Sequence, residues 1–322
     1  MDVERPAPSV ATPAVVLLGA TATGKTAVAA ALARRCNGEI ISADSRAFFR
    51  GLDIVTDKPS RRLRAEIPHH LVDIVDITES YDAMQFREAV RQLLGEIRAR
   101  HRLPIIVGGG TIYIGALLHG LFPGPSADAA LRKVLARQSA EALHRRLADV
   151  DPEAAARIHP HDRLRVQRAL EVHTLTGRRI SDLQRRAAPL PGPFAVFGLT
   201  KSPALHRQDI VSRVHRMIEH GVIDEVRRLR EAGLDPLHQA GRTAGVPEIL
   251  SYLDGTLGAE DLAERIAART RSLARRQAAW FRRIEGVCWF EVADESADVL
   301  AERIRLHLAG PEGESGDPKG LR

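Results

Sequence analysis

The chain is short of cysteine and of long apolar runs, and each shortage removes a class of protein. Two cysteines in 322 residues, Cys36 and Cys288, make no disulfide framework and no zinc-ligand spacing. That usage suits a reducing cytoplasm. No apolar run approaches the roughly 20 residues of a membrane span, and the opening MDVERPAPSVATP lacks the apolar core of a signal peptide. A cytoplasmic protein with no membrane partner is expected. The pair His69-His70 has no further ligand at useful spacing, so histidine-bound metal is not expected. What remains can bury a core: 44% of residues are apolar. The length suggests one large α/β domain with an elaboration, or two domains. The net charge of +6 is unevenly spread. Residues 123–194 hold 13 Lys and Arg against 8 Asp and Glu, and residues 265–283 hold seven arginines and no acid. Concentrated positive charge is the footprint of a phosphate-backbone partner.

The most specific signal lies near the start. An apolar strand, AVVLL, runs into Gly19-Ala20-Thr21-Ala22-Thr23-Gly24-Lys25-Thr26 and then a helix-forming stretch. This is the full G-x-x-x-x-G-K-[ST] pattern in its required strand–loop–helix context. Its glycines let backbone N–H groups turn towards phosphate oxygens, and the helix points its positive end at the anion. Lys25 adds a cation, and the Thr26 hydroxyl can ligate Mg²⁺.

Downstream, GEIISADS reads as a strand ending at Asp44, residues 83–100 as an amphipathic helix, and LPIIV as a buried strand entering Gly108-Gly109-Gly110-Thr111. Residues 195–200 read as a strand, followed by helices near 204–220, 221–232, 246–254 and 259–284. The expected fold is α/β: a P-loop NTPase-like parallel sheet flanked by helices, formed by 13–122 and 195–310, with an all-helical insertion at 123–194. The tails 1–12 and 311–322 are polar and bear Pro and Gly, so disorder is expected there. An acid after a later strand, which would hold Mg²⁺ in motor and switch NTPases, is missing. The acid sits instead at Asp44, facing a nucleophile beside the phosphate cradle as a general base would. Capping of the next turn is its alternative role.

The runs GATATGKT, EIISADS, RGLDI, DKP, IPHHLVDI and LPIIVGG resemble the isopentenyl-diphosphate transferase superfamily. PSAD, VDPEAAARIHPHDRLRVQRALEV, LTG and TRSLARRQAAWFRR resemble its bacterial tRNA dimethylallyltransferases, and the similarity spans about residues 14–290. The resemblance implies transfer of a dimethylallyl group from dimethylallyl diphosphate to N6 of adenosine-37, beside the anticodon of tRNAs reading codons that begin with U. The P-loop, Gly19–Thr26, would take the diphosphate, with Mg²⁺ bridging it to Thr26. Asp44 would be the base, and Lys25 and Arg213, in RVHRM, would stabilise the leaving group. Contacts to the tRNA anticodon stem-loop are implied for Asp44, Ser45, Arg46, Ala47, Gly110, Thr111, Arg132, Leu164, Arg165, Val166, Gln167 and Arg168. Arg165 and Arg168 are three apart and share a helix face. In the last long helix Arg265, Arg269, Arg276 and Arg283 fall on one stripe and Arg271, Arg275 and Arg282 on a second. The resemblance also implies a monomer.

Three departures cluster at the RNA side. Ala47 stands where the family has glutamine, Gly110 where it has threonine, and Val246-Pro247 replace an aromatic and a cation. GLDIVT and GVPE are similar to adenylate isopentenyltransferases, which prenylate free AMP, ADP or ATP. That is the first alternative, although the basic insertion is intact here. A P-loop small-molecule kinase and a non-catalytic RNA-binding relative are the others.

Overall fold

The computed structural model describes residues 13–309 apart from Pro123 and Asp294. The expected disordered tails lie outside the described residues. These divide into two compact units, one drawn from Met1–Ile114 and Pro191–Arg322, the other Gly115–Leu190.

In chain order the first unit begins with strand β1 (Ala14–Gly19), helix α1 (Lys25–Cys36) and strand β2 (Gly38–Ser42). Every residue of β1 and β2 is buried, as a strand covered on both faces requires. Helix α1 ends at Asn37, whose left-handed φ of 49° lets its N–H reach the Ala33 carbonyl. Helix α2 (Arg61–Glu66) and the two-residue strand β3 (His69–His70) follow. Helix α3 (Ala83–Ala99) is held at its start by a capping box of Asp82 and Gln85 and buries Phe86, Val90, Leu94 and Ile97. Strand β4 (Leu103–Gly108) leads into α4 (Thr111–Leu118).

The second unit is helical: α5 (Ala129–Ala136), α6 (Ala140–Val150), α7 (Pro152–Arg157), α8 (Arg163–Thr176) and α9 (Ile180–Gln184). Its core joins Leu143, Leu147, Val166 and Leu170. Glu171 is fully buried there. Arg132 grips it at 2.8 and 2.9 Å, Arg168 at 2.6 Å, and the Asp128 amide donates to it at 2.8 Å. Burial raises the Glu171 pKa, but the two guanidiniums and the amide outweigh that and hold it below the usual range. Removing both arginines strands a buried carboxylate. Arg132→Ala/Arg168→Ala is therefore expected to cost about 3 kcal/mol in urea unfolding, whereas Arg165→Ala, at an exposed pair with Asp162, costs under about 1 kcal/mol.

The first unit resumes with β5 (Phe194–Thr200), α10 (Pro203–Glu219), α11 (Val222–Glu231), α12 (Val246–Leu253), α13 (Ala259–Phe281), β6 (Cys288–Glu291) and α14 (Ala297–Ala309). The six strands form one parallel sheet ordered β3-β2-β4-β1-β5-β6. Val28 and Leu32 of α1 and Leu300 and Ile304 of α14 pack with Val15, Leu17 and Ile105 of the sheet. A second apolar cluster joins α10, α11, α12 and α13 through Val214, Val226, Ile249 and Ile266. The carboxyl ends of β1, β2 and β4 lie side by side, where a doubly wound sheet presents ligands. No helix among the described residues is long and apolar enough to cross a membrane.

Candidate active site

A cavity of about 280 Å³ opens at these strand ends, lined by Lys25, Thr26, Asp44 and Arg213 among others. From the P-loop it receives Thr21, Ala22, Gly24, Lys25 and Thr26. Gly24 adopts φ 85°, a left-handed turn that starts α1 at Lys25 and aims the first helical amides inward. Gly19, Ala20 and Thr23, expected to bind phosphate with the rest of the loop, do not line this cavity. They face another one, and Thr23 is 2% exposed with its hydroxyl on the Ala20 carbonyl at 2.9 Å. The walls include Ile40, Val72 and Val107, which suit a small apolar group beside the anion.

Lys25 Nζ donates to the Ala20 carbonyl at 2.6 Å. Burial lowers its pKa to about 8; the nearby Asp44 opposes this shift and Arg213 adds to it. Arg213, from α10, donates to the Thr56 carbonyl and approaches Asp57, both at 3.2 Å. Asp44 follows β2 and uses Oδ1 to accept the Arg46 amide at 2.9 Å. It therefore does cap the next turn. No hydrogen bond engages its Oδ2 among the described residues, so one oxygen orients the group and the other is available as a base.

A second cavity, also about 280 Å³, meets the first at Asp44, Thr21, Gly109, Arg213 and Gln277. It adds Ser45, Arg46, Gly110, Thr111 and the arginines Arg242, Arg269 and Arg276. Asp44 thus stands between a chamber with the P-loop cation Lys25 and a chamber ringed by arginines. The shape fits a base placed between an anionic donor and a polyanionic acceptor. Among the residues expected at the RNA, Ala47 is buried and lines the first chamber, not the second. Gly110 has a steric reason to lack a side chain, since a Cβ there would lie 2.5 Å from the Ala43 carbonyl oxygen. Gly108 is pressed against Ala43 in the same way.

In the helical unit Leu164 and Arg165 are exposed and Gln167 is half-buried. Val166, also expected at the RNA, is fully buried in that unit's core. Arg132 and Arg168 are engaged with Glu171.

Sequence reasoning missed two residues. Gln277 on α13 accepts the Thr21 amide at 2.9 Å and donates to the Gly109 carbonyl at 2.8 Å, tying the P-loop to the turn after β4. Glu225 on α11 is buried and accepts the amides of Asp53, Ile54 and Val55 at 3.0, 2.7 and 3.0 Å, shaping the loop that carries Thr56 and Asp57. Gln277 lies within the basic TRSLARRQAAWFRR run, but only its two long-range bonds reveal the role. Gln277→Leu is expected to lower kcat roughly 10- to 100-fold through misplacement of the cradle. Steady-state kinetics check this, with the melting temperature little changed.

For Mg²⁺ the P-loop side chains lining the first chamber offer only hydroxyl oxygens, those of Thr21 and Thr26, with Thr26 at the start of α1. No group of three or more His, Cys, Asp or Glu that could cage a metal exists among the described residues. That donor set fits an ion held mainly by substrate phosphates and water, the usual situation for Mg²⁺. His69 also lines the chamber, with Nδ1 on the Ile67 carbonyl at 2.7 Å, and burial pushes its pKa down.

Comparison with known proteins gives the same direction. The family model described as IPP transferase matches residues 47–284. The tRNA dimethylallyltransferase of Alkalilimnicola ehrlichii is 47% identical over 308 residues, covering 92% of this chain and 96% of that one. That of Pelotomaculum thermopropionicum is 42% identical over 300 residues, covering 91% and 95%. The full-length tRNA isopentenylpyrophosphate transferase of Bacillus halodurans superposes with a TM-score of 0.70 at 35% identity, over 93% of this chain and 96% of that one. A eukaryotic dimethylallyltransferase described as acting on tRNA superposes with a TM-score of 0.76 at 28% identity, over 88% and 74%.

Proposed function

The chain belongs to the IPP transferase family, and we propose that it is a tRNA dimethylallyltransferase moving a dimethylallyl group from dimethylallyl diphosphate to N6 of adenosine-37. The observation that carries this reading is the position of Asp44 at the junction of the P-loop chamber and the arginine-ringed chamber.

The exocyclic amine of adenine is a weak nucleophile because its lone pair is delocalised into the ring. Asp44 Oδ2 takes the N6 proton as the N6–C1 bond forms. The C1–O bond breaks and diphosphate leaves. Lys25, Arg213 and the amides at the start of α1 receive the charge that builds on the departing oxygens. The Thr26 hydroxyl would help hold Mg²⁺, which would supply further positive charge to the diphosphate. Ile40, Val72 and Val107 shelter the prenyl group from water. Arg46, Arg242, Arg269 and Arg276 attract the phosphates flanking an adenosine turned out of its loop. Ser45, Gly110 and Thr111 form the wall nearest the base. Leu164, Arg165 and the half-buried Gln167 offer the helical unit's contacts to RNA. The enzyme works in the cytoplasm, as a monomer.

The test is transfer of label from dimethylallyl diphosphate, with Mg²⁺, to tRNA and in parallel to AMP, ADP and ATP. Label in tRNA is expected. Label confined to a free nucleotide would overturn the acceptor assignment, and label in neither would overturn the enzyme reading.

A further inference from the structure

A third cavity, of about 220 Å³, uses Gly19, Ala20 and Thr23 as one wall and contains neither Lys25, Asp44 nor Arg213. It lies at the carboxyl ends of β1 and β5. At its mouth stand Arg207 of α10, Arg275 of α13 and Arg282, the residue that caps the end of α13, all exposed. Arg275 and Arg282 are seven residues apart and so share a helix face. None of the three guanidiniums has an acidic or hydrogen-bonding partner among the described residues, and no acidic residue lines the cavity. Elsewhere this chain commonly pairs its surface arginines, as in Arg34 with Glu66 or Arg185 with Glu153. Three unneutralised cations around one hollow are an electrostatic cost that an anion would offset.

The hollow is not only charged. Its floor includes the buried Leu199 and Phe281, and one side is the Trp289 indole, 38% exposed. The indole lies against Gly198, where an added Cβ would meet it at 2.4 Å, so the glycine lets the ring rest on the strand. A flat aromatic face beside guanidinium forks matches a planar base carrying a phosphate.

We propose that this cavity is a second nucleotide-binding site, with the phosphate on Arg207, Arg275 and Arg282 and the base against Trp289. The site is separate from the prenyl-transfer chambers and does not depend on them. Either a free nucleotide or a nucleotide within an RNA strand supplies this chemistry.

The experiment uses the full chain carrying Trp280→Phe, which leaves Trp289 as the sole tryptophan. Trp289 lines this cavity and not the one holding Lys25, so its emission reports this site. AMP, ADP and a short oligoribonucleotide are titrated separately. Saturable quenching is expected, with affinity about tenfold weaker in Arg275→Ala/Arg282→Ala. Arg207→Ala, on a different helix, is expected to weaken it similarly, and circular dichroism checks that each variant is folded. Quenching by AMP or ADP assigns a free nucleotide, and quenching by the oligomer alone assigns RNA. No quenching by any probe, or quenching unchanged in the folded arginine variants, overturns the proposal.

Discussion

Asp44→Asn is expected to lower the rate of prenyl transfer to tRNA by about 10³-fold, within the range of a lost general base. Asparagine retains an oxygen for the Arg46 amide, which Asp44 Oδ1 accepts at 2.9 Å, so the turn after β2 survives. What it lacks is an oxygen able to take the N6 proton. Single-turnover transfer from labelled donor measures the step, and calorimetry with inorganic pyrophosphate measures the cradle. Lost transfer with pyrophosphate affinity kept within about threefold identifies Asp44 as the base. A variant that transfers normally would remove Asp44 from that role. Asp44→Ala is the less informative substitution, because it also removes the cap.

Lys25→Met is expected to abolish useful donor binding while making the protein more stable. Burial lowers the Lys25 pKa to about 8 from 10.5, so the folded state holds this charge at a cost below that pH. Methionine fills a similar volume without the charge, and a melting temperature higher by roughly 2–6 °C at pH 7 follows. Below about 8 both folded and unfolded states carry the proton, and the penalty is full. Between about 8 and 10.5 the folded state has released it and the unfolded state has not, so the stability contribution of Lys25 rises with pH. The advantage of Lys25→Met should therefore shrink as pH rises towards 10. Donor affinity of the natural protein moves the opposite way, weakening above about pH 8 as the cation is lost. Thermal melts and pyrophosphate binding across pH 7–10 check both. A Lys25→Met protein less stable than the parent at pH 7 would refute the burial account.

Local features were legible in proportion to how locally they are determined. The β1–P-loop–α1 unit could be read because each part is specified by neighbours: an apolar run, two glycines, a lysine and a threonine. The amphipathic α3 could be read because its apolar face repeats at the helical period. Asp44 was recognisable as an acid at a strand end. Strand β3, two residues long, carries no periodic signal at all. Strand β6, reading CWFE, and helix α14 also escaped notice, since their pairing with β5 and packing on α1 are long-range events.

The division between sequence and tertiary structure follows from this. By itself the sequence determined the chemistry on offer: a phosphate cradle, a carboxylate after β2, a basic helical insertion and two arginine stripes on α13. Only the folded chain decided which of these meet. Thr21 and Gln277 are 256 residues apart, yet one hydrogen bond joins them. Val166 and Arg165 are adjacent in sequence but opposite in fate, one inside the helical core and one exposed. Glu171 became a buried anchor for Arg132 and Arg168 because the helices around it exclude water and leave the carboxylate no other partners. Composition and spacing specify which groups a chain carries, whereas burial and partnership, which set pKa values and roles, depend on distances that exist only after folding.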